Sequence, residues 1–415
     1  MWALLFSLGA MFFFFRLARE YLGIFASTVA FAFFAFNPLV VDISTAVQPE
    51  GLMILCYIAA AFFFVRWIRG DRNSDFIAAT LLTAMTLLTK ATSAHIGIFF
   101  GVLLLQKYGW SALRQFKVWI FGIVTVVPAA LWYLHAKSLW LTYGNSLGVS
   151  NEYHWIGRDF FTNSEFIKGI FRIELLHVWV IFAAIVAAFG IWRGYRDDIA
   201  KHALIWLGSV IVFYIVACRT TADDWAYYYH IFSMPPAALL IGLGMKKLCE
   251  ATRELRDTND EYSLPMNLTR LATLVVVSVI MASAFLLEAK QLRSNLFEKR
   301  VEVPAYKFAR ESQSSLTSDG LIVSSGGHCV DENGYQVAYD ASYMLYWLDR
   351  KGWDVCVEDQ TPARIQELRN KGAVYFVGEK KYMDAKPPFQ NEMRQMFPAV
   401  AESNDLVVFD LTKPR

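Results

Sequence analysis

Ionisable residues that interrupt apolar segments are the first candidates for chemistry in this sequence. Asp42 and Glu50 lie in the stretch FNPLVVDISTAVQPEGLMILCY, where a short polar interval separates two apolar segments. Lys90 ends another long apolar run. A carboxylate in such a place can orient a hydroxyl group or accept its proton, and a lysine ammonium can bind an anion. What these three residues can do therefore depends on the kind of structure that positions them.

The amino-acid composition indicates which kind of structure this is. Of the 415 residues, 56% are hydrophobic and 16% are aromatic, while only 18% are charged. The mean hydropathy is +0.35, and a soluble domain of this size has more polar surface to cover. The net charge of +2 is too small to indicate nucleic-acid binding. We expect a polytopic α-helical membrane protein.

Apolar windows of membrane-spanning length recur along the first 288 residues. A helix needs about 20 apolar residues to cross a hydrocarbon core of about 30 Å. By this measure the sequence predicts about ten spans. They are residues 2–18, 21–41, 51–68, 75–89, 92–106, 117–134, 174–193, 203–217, 230–246 and 271–288.

Lysine and arginine concentrate in every second connection between these spans. Such connections are cytoplasmic in membrane proteins, so the alternate ones are expected on the outer side. The outer connections lie around residues 42–50, 90–91, 135–173 and 218–229. The same parity places Met1 outside, although no signal peptide is recognisable at the N-terminus. We therefore expect a longer form of the chain, with a further span and an outer loop before Trp2.

The composition changes after residue 288. The segments LIVSS, WDVCVE, AVYFVG and DLVVFDL are typical of short strands, and ASYMLYWLDRKG, TPARIQELRNKG and FQNEMRQMF are typical of helices. This alternation predicts a small α/β domain with a largely parallel sheet over residues 289–415. Span parity places the domain on the outer face, as a cap on the membrane part of residues 1–288.

Two features of this domain leave alternatives open. Cys329 and Cys356 share the outer domain, where a disulfide is chemically possible but cannot be deduced from sequence. The stretch SSGGH follows a strand, as a phosphate-binding loop would, but it lacks the GxGxxG spacing, so an ordinary turn is the preferred interpretation.

Four motifs occur in a recognisable order in the first 290 residues. They are NPLVVDISTAVQPEGLMILCYIAAAFFFVRW, LLTK, LWYLHAKSLWLTYGNSLG and DDWAYYYHIFSMPPAALLIGLG. Together they resemble the bacterial protein mannosyltransferase-like family of GT-C glycosyltransferases, relatives of the lipid A aminoarabinose transferases and the dolichyl-phosphate-mannose mannosyltransferases. The resemblance implies a GT-C membrane fold and transfer of a sugar from a polyprenyl-phosphate carrier. It also implies a multi-pass protein of the bacterial plasma membrane with an extracytoplasmic C-terminal domain.

The resemblance assigns Glu50 to the position of the family's second outer acidic residue, where it would orient the acceptor or support the site. The alternative is a carboxylate that only interacts with the dipole of the helix it begins. The family's main catalytic base, an aspartate in the first outer loop, has no counterpart here and is expected before Trp2. Asp42 is interpreted as a solvated charge at a helix end.

Lys90 matches the lysine that contacts the carrier phosphate in the aminoarabinose transferases. The alternative is a lysine that snorkels to the headgroups. Tyr229 stands where relatives place a substrate-contacting tyrosine, although the run WAYYYHI is also typical of an interfacial aromatic belt. Further substrate-binding candidates lie near the same outer ends of spans. They are His135, His230, Asp224 and Arg219.

The resemblance leaves cofactor and acceptor open. Some relatives bind a divalent ion with a histidine and a carboxylate, but Thr89 rather than an acidic residue precedes Lys90, so a divalent metal stays possible without a predicted ligand set. The expected partners are a polyprenyl-phosphate sugar donor, membrane lipids, and a glycan, lipid or protein acceptor. Nucleic acid is not expected.

Two other classes of protein fit the same composition. A transporter or lipid flippase would have a similar number of spans, with polar residues or broken helices near the bilayer midplane and often repeated halves. A membrane scaffold that presents the outer α/β domain, or an inactive fragment of an enzyme, would lack the first outer loop. Activity as a hexosyl- or pentosyltransferase is the preferred interpretation.

Overall fold

The computed structural model describes most of the chain. The described residues are 2–46, 48–143, 157, 159–180, 182–257, 282, 286, 289, 290, 293, 303–313, 316, 319–330 and 343–415. The chain divides into two compact units, which are Met1–His135 with Glu152–Glu298, called here the membrane unit, and Ala136–Asn151 with Lys299–Arg415, called the C-terminal unit.

The first part of the chain is helical. In order, the helices are α1 (Trp2–Arg19), α2 (Ile24–Phe36), α3 (Pro38–Thr45), α4 (Glu50–Gly70), α5 (Asn73–Thr89), α6 (Ile96–Tyr108), α7 (Phe116–Tyr143), α8 (Ser164–Ile173), α9 (Phe182–Gly194), α10 (Asp198–Val216), α11 (Cys218–Thr221) and α12 (Met234–Asp257). Short turns of other helix types connect some of them. These are the 3-10 turns Ala91–His95, Gly109–Arg114 and Asp224–Ser233, and the π-helical turn Glu174–Val178.

The described residues contain six helices long and apolar enough to cross a membrane, or up to eight if two bent pairs each form one span. The predicted count of about ten is therefore not confirmed. Helix α5 has 17 residues and is not among the six. The tenth predicted span, residues 271–288, lies outside the described residues except for positions 282 and 286.

The predicted span 21–41 is broken. Helices α2 and α3 meet at an angle of 55°, because Pro38 cannot donate a backbone hydrogen bond and disfavours a helical conformation in the residue before it. Asn37 is extended and accepts a hydrogen bond from the Leu39 N–H at 3.0 Å, so it caps the new helix. The break carries α3 and Asp42 in a new direction.

The predicted span 174–193 is also broken. The helical stretch Ser164–Val178 meets Ala183–Gly194 at 96°, and Val180 between them has a φ of 44°. A β-branched residue rarely adopts this left-handed conformation, so it marks a sharp turn. The π-helical turn that includes Glu174 precedes the bend, and such turns are frequent at functional sites.

Close helix packing in the membrane unit depends on glycine. A Cβ atom added to Gly190 on α9 would lie 2.5 Å from the backbone nitrogen of Gly244 on α12. One added to Gly244 would lie 2.2 Å from the carbonyl oxygen of Val186. Only glycine permits this approach, which is the usual device by which membrane helices pack backbone to backbone.

The C-terminal unit has a five-stranded sheet with helices around it. The strands are β1 (Leu321–Ser325), β2 (Gly352–Val355), β3 (Ala373–Glu379), β4 (Ala399–Glu402) and β5 (Leu406–Asp410). The helices are α13 (Pro304–Ser312), α14 (Tyr343–Trp347), α15 (Pro362–Asn370), α16 (Lys380–Asp384) and α17 (Pro387–Met396). The strand order is β2-β1-β3-β5-β4.

The predicted parallel sheet is correct for three strands only. β1 pairs in parallel with β2 and β3, whereas β5 pairs antiparallel with β3 and with β4. The connection between β4 and β5 is too short for a parallel crossover, which needs a dozen or more residues. The sheet is buried on both faces, with Val323 and Phe376 in one core cluster and Ile322 and Tyr375 in the other.

The structure pairs Cys329 with Cys356 in a disulfide whose Cα atoms lie 5.4 Å apart. It joins the loop after β1 to the end of β2. The SSGGH stretch comprises the last two residues of β1 and the loop directly after it, where the Gly327 carbonyl accepts from the Val357 N–H at 2.8 Å. Gly327 has a φ of 79°, which favours glycine.

Candidate functional site

Lys90 lies at the junction of helix α5 and a 3-10 turn. Helix α5 ends at Thr89, and Lys90 is extended, with φ −157° and ψ 111°. Its carbonyl accepts a hydrogen bond from Ser93 Oγ at 2.7 Å. The next backbone amide, that of Ala91, donates to the Tyr133 hydroxyl at 3.1 Å. The end of the helix therefore directs this lysine inward instead of letting it continue along α5.

The threonines of α5 satisfy their own hydroxyl groups. Thr80, Thr83, Thr86 and Thr89 each donate to the carbonyl four residues earlier, at distances from 2.7 to 2.8 Å. This pattern is the expected one for threonine in an apolar environment. The helix that leads to Lys90 thus presents no unsatisfied hydroxyl from these residues.

A buried hydrogen-bond chain supports the turn after Lys90. Trp206 Nε1 donates to the Tyr57 hydroxyl at 2.6 Å, and this hydroxyl lies 3.0 Å from His95 Nε2. The other ring nitrogen, Nδ1, lies 2.7 Å from the Thr92 carbonyl. Because a carbonyl only accepts, Nδ1 carries the proton and Nε2 accepts from Tyr57. The network is complete and fixes the 3-10 turn to α4 and α10.

Glu50 and Lys90 form an ion pair between Glu50 Oε1 and Lys90 Nζ. Both side chains are largely buried, with 4% and 15% of their surfaces exposed. The second carboxylate oxygen, Glu50 Oε2, is buried and has no hydrogen-bond partner among the described residues. Glu50 is also the first residue of α4, where the helix dipole favours a negative charge. One of its oxygens thus remains available to a ligand.

Two tyrosine rings complete the surroundings of Lys90. The Nζ atom lies 4.0 Å from the centre of the Tyr229 ring and 4.7 Å from that of Tyr228. Cation–π contacts of this kind stabilise a lysine charge in a partly desolvated place. The structure thus brings three predicted residues, Glu50, Lys90 and Tyr229, into one cluster.

The turn Asp224–Ser233 presents successive side chains to different partners. The Tyr227 hydroxyl lies 3.3 Å from Asp42 Oδ2, Tyr228 and Tyr229 contact Lys90, and His230 turns away toward Glu174. Asp42 is half-buried and accepts this hydrogen bond near the end of α3, so it is not solvated on all sides, and its interpretation as a helix-end charge stays a prediction.

His230 belongs to a second polar cluster. Its Nδ1 lies 2.8 Å from Glu174 Oε1, and its Nε2 lies 2.8 Å from the Thr221 carbonyl. The Tyr214 hydroxyl lies 2.8 Å from Glu174 Oε1 and 2.8 Å from Ser233 Oγ. Trp179 Nε1 donates to Glu174 Oε2 at 3.0 Å. Both oxygens of Glu174 therefore have partners.

The partners of His230 define how many protons this cluster holds. A backbone carbonyl only accepts, so Nε2 must carry a hydrogen. The nitrogen Nδ1 faces a carboxylate oxygen, and this contact is attractive only if one proton lies between them. The Glu174–His230 pair thus holds that proton, on either residue, and has no net charge.

The structure shows contacts of the remaining predicted site residues with groups other than Lys90. Arg219 binds Asp159, with Nε 3.0 Å and Nη2 2.9 Å from Asp159 Oδ1. Asp224 Oδ1 lies 2.8 Å from Arg172 Nη2. His135 is exposed on α7, with its ring 6.0 Å from that of Trp132. Substrate contact by these residues and by the fully buried His230 stays a prediction.

An apolar groove of about 560 Å³ lies in the membrane unit. It is lined by residues of α8, α9, α10 and α12 and of the turns next to them. Its polar lining residues are Glu174, Tyr214 and Ser233, which all belong to the cluster around His230.

The structure offers no clear metal site in the described residues. One group of three potential ligands has its atoms within 4.8 Å of one another, and it consists of Cys329, Cys356 and Glu358. The two sulfurs are joined in the disulfide, so they are not available as thiolate ligands. A divalent metal thus stays a prediction without a ligand set.

Sequence reasoning missed Glu174 and Tyr228. A carboxylate inside the amphipathic stretch NSEFIKGIFRIELLHVW, next to a span, was a usable signal for Glu174. Its partner His230 is 56 residues away, and nothing in the sequence links the two. Tyr228 was hidden because neighbouring tyrosines in an aromatic run cannot be ranked without the turn that orients them.

Comparison with known proteins gives a family match over part of the chain. Residues 1–133 match the family model of dolichyl-phosphate-mannose-protein mannosyltransferases. No curated protein sequence gives a significant match.

Solved structures give a match over nearly the whole chain. The fold is similar to that of ArnT from Cupriavidus metallidurans bound to undecaprenyl phosphate, at 14% identity and a TM-score of 0.54, over 98% of this chain and 83% of that one. Mycobacterial arabinofuranosyltransferase AftD is also similar, at 14% identity over 91% of this chain. Its TM-score is 0.49 for a mutant form, with 30% of that chain covered, and 0.47 for another structure, with 28% covered.

The chain thus spans less than a third of AftD, whereas it spans most of ArnT. The fold match with ArnT and the family match over residues 1–133 agree with the order of motifs in the sequence. They confirm the resemblance of this chain to the protein mannosyltransferase-like GT-C glycosyltransferases.

Proposed function

We propose that this protein is a membrane glycosyltransferase that moves a sugar from a polyprenyl-phosphate-linked donor to an acceptor on the outer face of the bacterial plasma membrane. The observation that carries the proposal is the buried Lys90, which is held beside Glu50 and two tyrosine rings. The binding of undecaprenyl phosphate by ArnT, which has a similar fold, supports a donor of this class.

Lys90 supplies the charge that a phosphate needs. A phosphodiester carries a negative charge, and a buried anion is stable only when a cation accompanies it. Among the described residues, Lys90 forms an ion pair with the carboxylate of Glu50. The donor phosphate therefore competes with Glu50 for the same ammonium group.

This competition couples donor binding to the acceptor. When the phosphate binds Lys90, Glu50 no longer holds this cation alone, and its second oxygen is already without a partner among the residues that the structure describes. The carboxylate is then free to accept a hydrogen bond from the acceptor hydroxyl. Donor binding thus prepares the group that orients the acceptor.

The chemical step keeps the charge of the site constant. The acceptor oxygen forms a bond to the anomeric carbon, and the bond from that carbon to the phosphate oxygen breaks with its electron pair. The hydroxyl proton passes to a carboxylate base while Glu50 orients the hydroxyl, and the leaving polyprenyl phosphate gains one negative charge beside Lys90. Positioning and charge stabilisation supply most of the catalysis, since a phosphate is already a competent leaving group.

A transfer assay tests the proposal. Membranes with the full chain, with Lys90→Gln, and with the matched surface control Lys168→Gln are supplied with a panel of radiolabelled polyprenyl-phosphate sugars and native acceptors. Lys168 is 68% exposed and pairs with Glu165 on α8, so its loss should leave transfer unchanged. We expect transfer by the wild type and the control, and a loss of at least 100-fold in Lys90→Gln. Folded protein without transfer from any donor would contradict the proposal.

A further inference from the structure

Two cysteines, a glutamate and a histidine meet at one edge of the sheet in the C-terminal unit. Cys329 lies in the loop after β1, and Cys356 directly follows the parallel strand β2. Their sulfur atoms and a carboxylate oxygen of Glu358 all lie within 4.8 Å of one another. His328 Nδ1 lies 2.7 Å from Glu358 Oε1. Together they offer two sulfurs, one nitrogen and a carboxylate, which is a donor set typical of zinc.

The distances in this cluster are close to those of a tetrahedral zinc site. Zinc binds sulfur at about 2.3 Å and nitrogen or oxygen at about 2.0 Å, which places a sulfur ligand about 3.5 Å and a nitrogen ligand about 3.3 Å from an oxygen ligand. In the structure, Cys329 Sγ lies 3.2 Å from Glu358 Oε2, and His328 Nδ1 lies 2.7 Å from Glu358 Oε1. These side chains therefore need to separate by only about 0.3 to 0.6 Å to admit the ion.

Main-chain hydrogen bonds hold the two cysteine segments together independently of the disulfide. The Gly326 N–H donates to the Val355 carbonyl at 2.9 Å, and the Val357 N–H donates to the Gly327 carbonyl at 2.8 Å. Neither bond involves a sulfur atom. The two thiols therefore stay side by side when the disulfide is reduced.

The cluster is open to solvent at its charged side chains. The side chain of His328 is 54% exposed and that of Glu358 is 32% exposed, whereas Cys356 is buried. Glu358 is held in place because its Oε2 accepts from the Cys329 N–H at 2.8 Å. An ion can therefore approach the sulfurs along the histidine and the carboxylate.

We propose that the cysteine pair has two exclusive states. One is the disulfide seen in the structure, and the other is a reduced state that binds one zinc ion through Cys329, Cys356, Glu358 and His328. A dithiol reduces the pair: the S–S bond breaks, each protein sulfur gains one electron and one proton, and the dithiol is oxidised to its own disulfide. Zinc then displaces the two protons, which pass to solvent.

This inference does not depend on the transferase function. All four ligands belong to the C-terminal unit, and none is among the residues proposed to bind the sugar donor. The state of the cysteine pair can therefore be measured as metal binding, without a transfer assay.

Zinc binding by the purified full chain tests the proposal. The chain is treated with a phosphine reductant or left oxidised, freed of reductant by gel filtration without oxygen, and titrated with zinc against a chromogenic chelator. A parallel titration uses cobalt, because thiolate ligands give cobalt a charge-transfer absorption. We expect the reduced wild type to bind one zinc ion more than the oxidised wild type, and to show this absorption with cobalt.

Variants with a matched control assign the ion to this cluster. Glu358→Gln keeps an oxygen for the Cys329 N–H but removes the carboxylate. Glu367→Gln changes a carboxylate of α15 in the same unit that is 45% exposed. We expect a zinc affinity at least tenfold lower in reduced Glu358→Gln, an unchanged affinity in Glu367→Gln, and no gain of zinc on reduction of Cys329→Ser.

Three results would overturn the proposal. Equal zinc binding by the oxidised and reduced wild type would mean that the disulfide only stabilises the fold. An undiminished gain in Cys329→Ser or Glu358→Gln would assign the ion to other groups of the chain. Loss of hydrogen-exchange protection in Gly352–Val355 on reduction, without recovery when zinc is added, would mean that reduction opens the sheet instead of forming a site.

Discussion

The buried Glu50 and the partly buried Glu174 contact neighbouring residues of the turn Asp224–Ser233, and each has a basic partner. Glu174 bonds to His230, Tyr214 and Trp179, so both of its oxygens are satisfied. Glu50 pairs with Lys90 through one oxygen, and its other oxygen has no partner in the described part of the chain. The hydrogen bonds of the Glu174 cluster are complete without a ligand. Those of the Glu50 cluster are complete only with one.

This difference in hydrogen-bond partners distinguishes a polar group that stabilises the fold from one that binds a ligand. A buried polar group without a partner costs free energy, so its retention requires an explanation such as a ligand. At Glu50 the explanation we propose is the substrate. At Glu174 none is needed, because the cluster closes the end of the groove and fixes the bend after α8. The predictions below test whether the two carboxylates differ in this way.

The largest expected effect is on transfer by Lys90→Gln and Glu50→Gln. Each should lower transfer by at least 100-fold. Lys90→Gln removes the cation that binds the donor phosphate, and Glu50→Gln removes the carboxylate that orients the acceptor. Initial rates with radiolabelled donor measure the loss, and gel-filtration profiles monitor folding. Full activity in either variant would remove that residue from the site.

The second prediction concerns the completed cluster. His230→Ala removes both contacts of the ring and leaves Glu174 without its proton partner, so we expect a loss of about 3 kcal/mol in the free energy of unfolding. Thermal unfolding in detergent measures it. Transfer per folded molecule should change little.

Glu174→Gln is the matched control for His230→Ala. A glutamine keeps an oxygen for Trp179 and brings an amide that can donate to His230 Nδ1 without the extra proton. It should cost less than about 1 kcal/mol. A large transfer defect in His230→Ala without loss of stability would break the comparison and support substrate contact by His230.

A third carboxylate extends the comparison into the C-terminal unit. Asp354 on β2 has a buried Oδ1 with no hydrogen-bond partner among the described residues. Burial raises the pKa of Asp354 from 3.8 to about 6. Its protonated form is thus favoured in the folded state, and the stability that it contributes is present below pH 4 and lost as the pH rises through 6.

Asp354→Asn should therefore stabilise the strand most above pH 6, by about 1 kcal/mol after allowance for partial solvent screening. Hydrogen exchange of Gly352–Val355 in the full chain at pH 4.5 and pH 7 measures this, with exchange rates corrected for intrinsic pH dependence. A protection gain that is equal at both pH values would contradict the account.

The smallest effect is expected at an exposed carboxylate. Glu402 bonds to Arg394 and Lys380, which lower its pKa from 4.5 to about 2. The stability that the ionised Glu402 contributes to the fold is present above pH 4.5 and is lost as the pH falls through 2. Because the side chain is 38% exposed, Arg394→Ala should cost less than about 1 kcal/mol at pH 7, measured as exchange in β4. A cost above 2 kcal/mol would contradict the weak effect expected of exposure.

The sequence predicted where helices and strands lie better than where the helices bend. The apolar windows located the membrane helices, but the breaks at Asn37 and Val180 depend on local backbone conformation that hydropathy does not encode. In the C-terminal unit, strand and helix patterns identified β1, β2, β3 and β5. The short strand β4 was missed because its four residues carry little apolar periodicity of their own.

The candidate site residues were chosen by their position in the predicted spans. Glu50 and Lys90 stand at the ends of apolar segments, and Tyr229 was chosen from its motif. The structure brings the three together, and their roles stay predictions. Their direct pairing was not readable, because it depends on how α4 and α5 pack. The separate partners of Arg219 and Asp224 likewise required the fold.

The most direct test of the exchange at Lys90 is the affinity of the purified full chain for undecaprenyl phosphate in the wild type, Glu50→Gln and Lys90→Gln. If the phosphate displaces Glu50, Glu50→Gln should bind the ligand at least as tightly as the wild type, since the competing carboxylate is neutralised. Lys90→Gln should bind at least tenfold more weakly. Equal affinity in all three proteins, or weaker binding by Glu50→Gln than by the wild type, would contradict the proposed exchange.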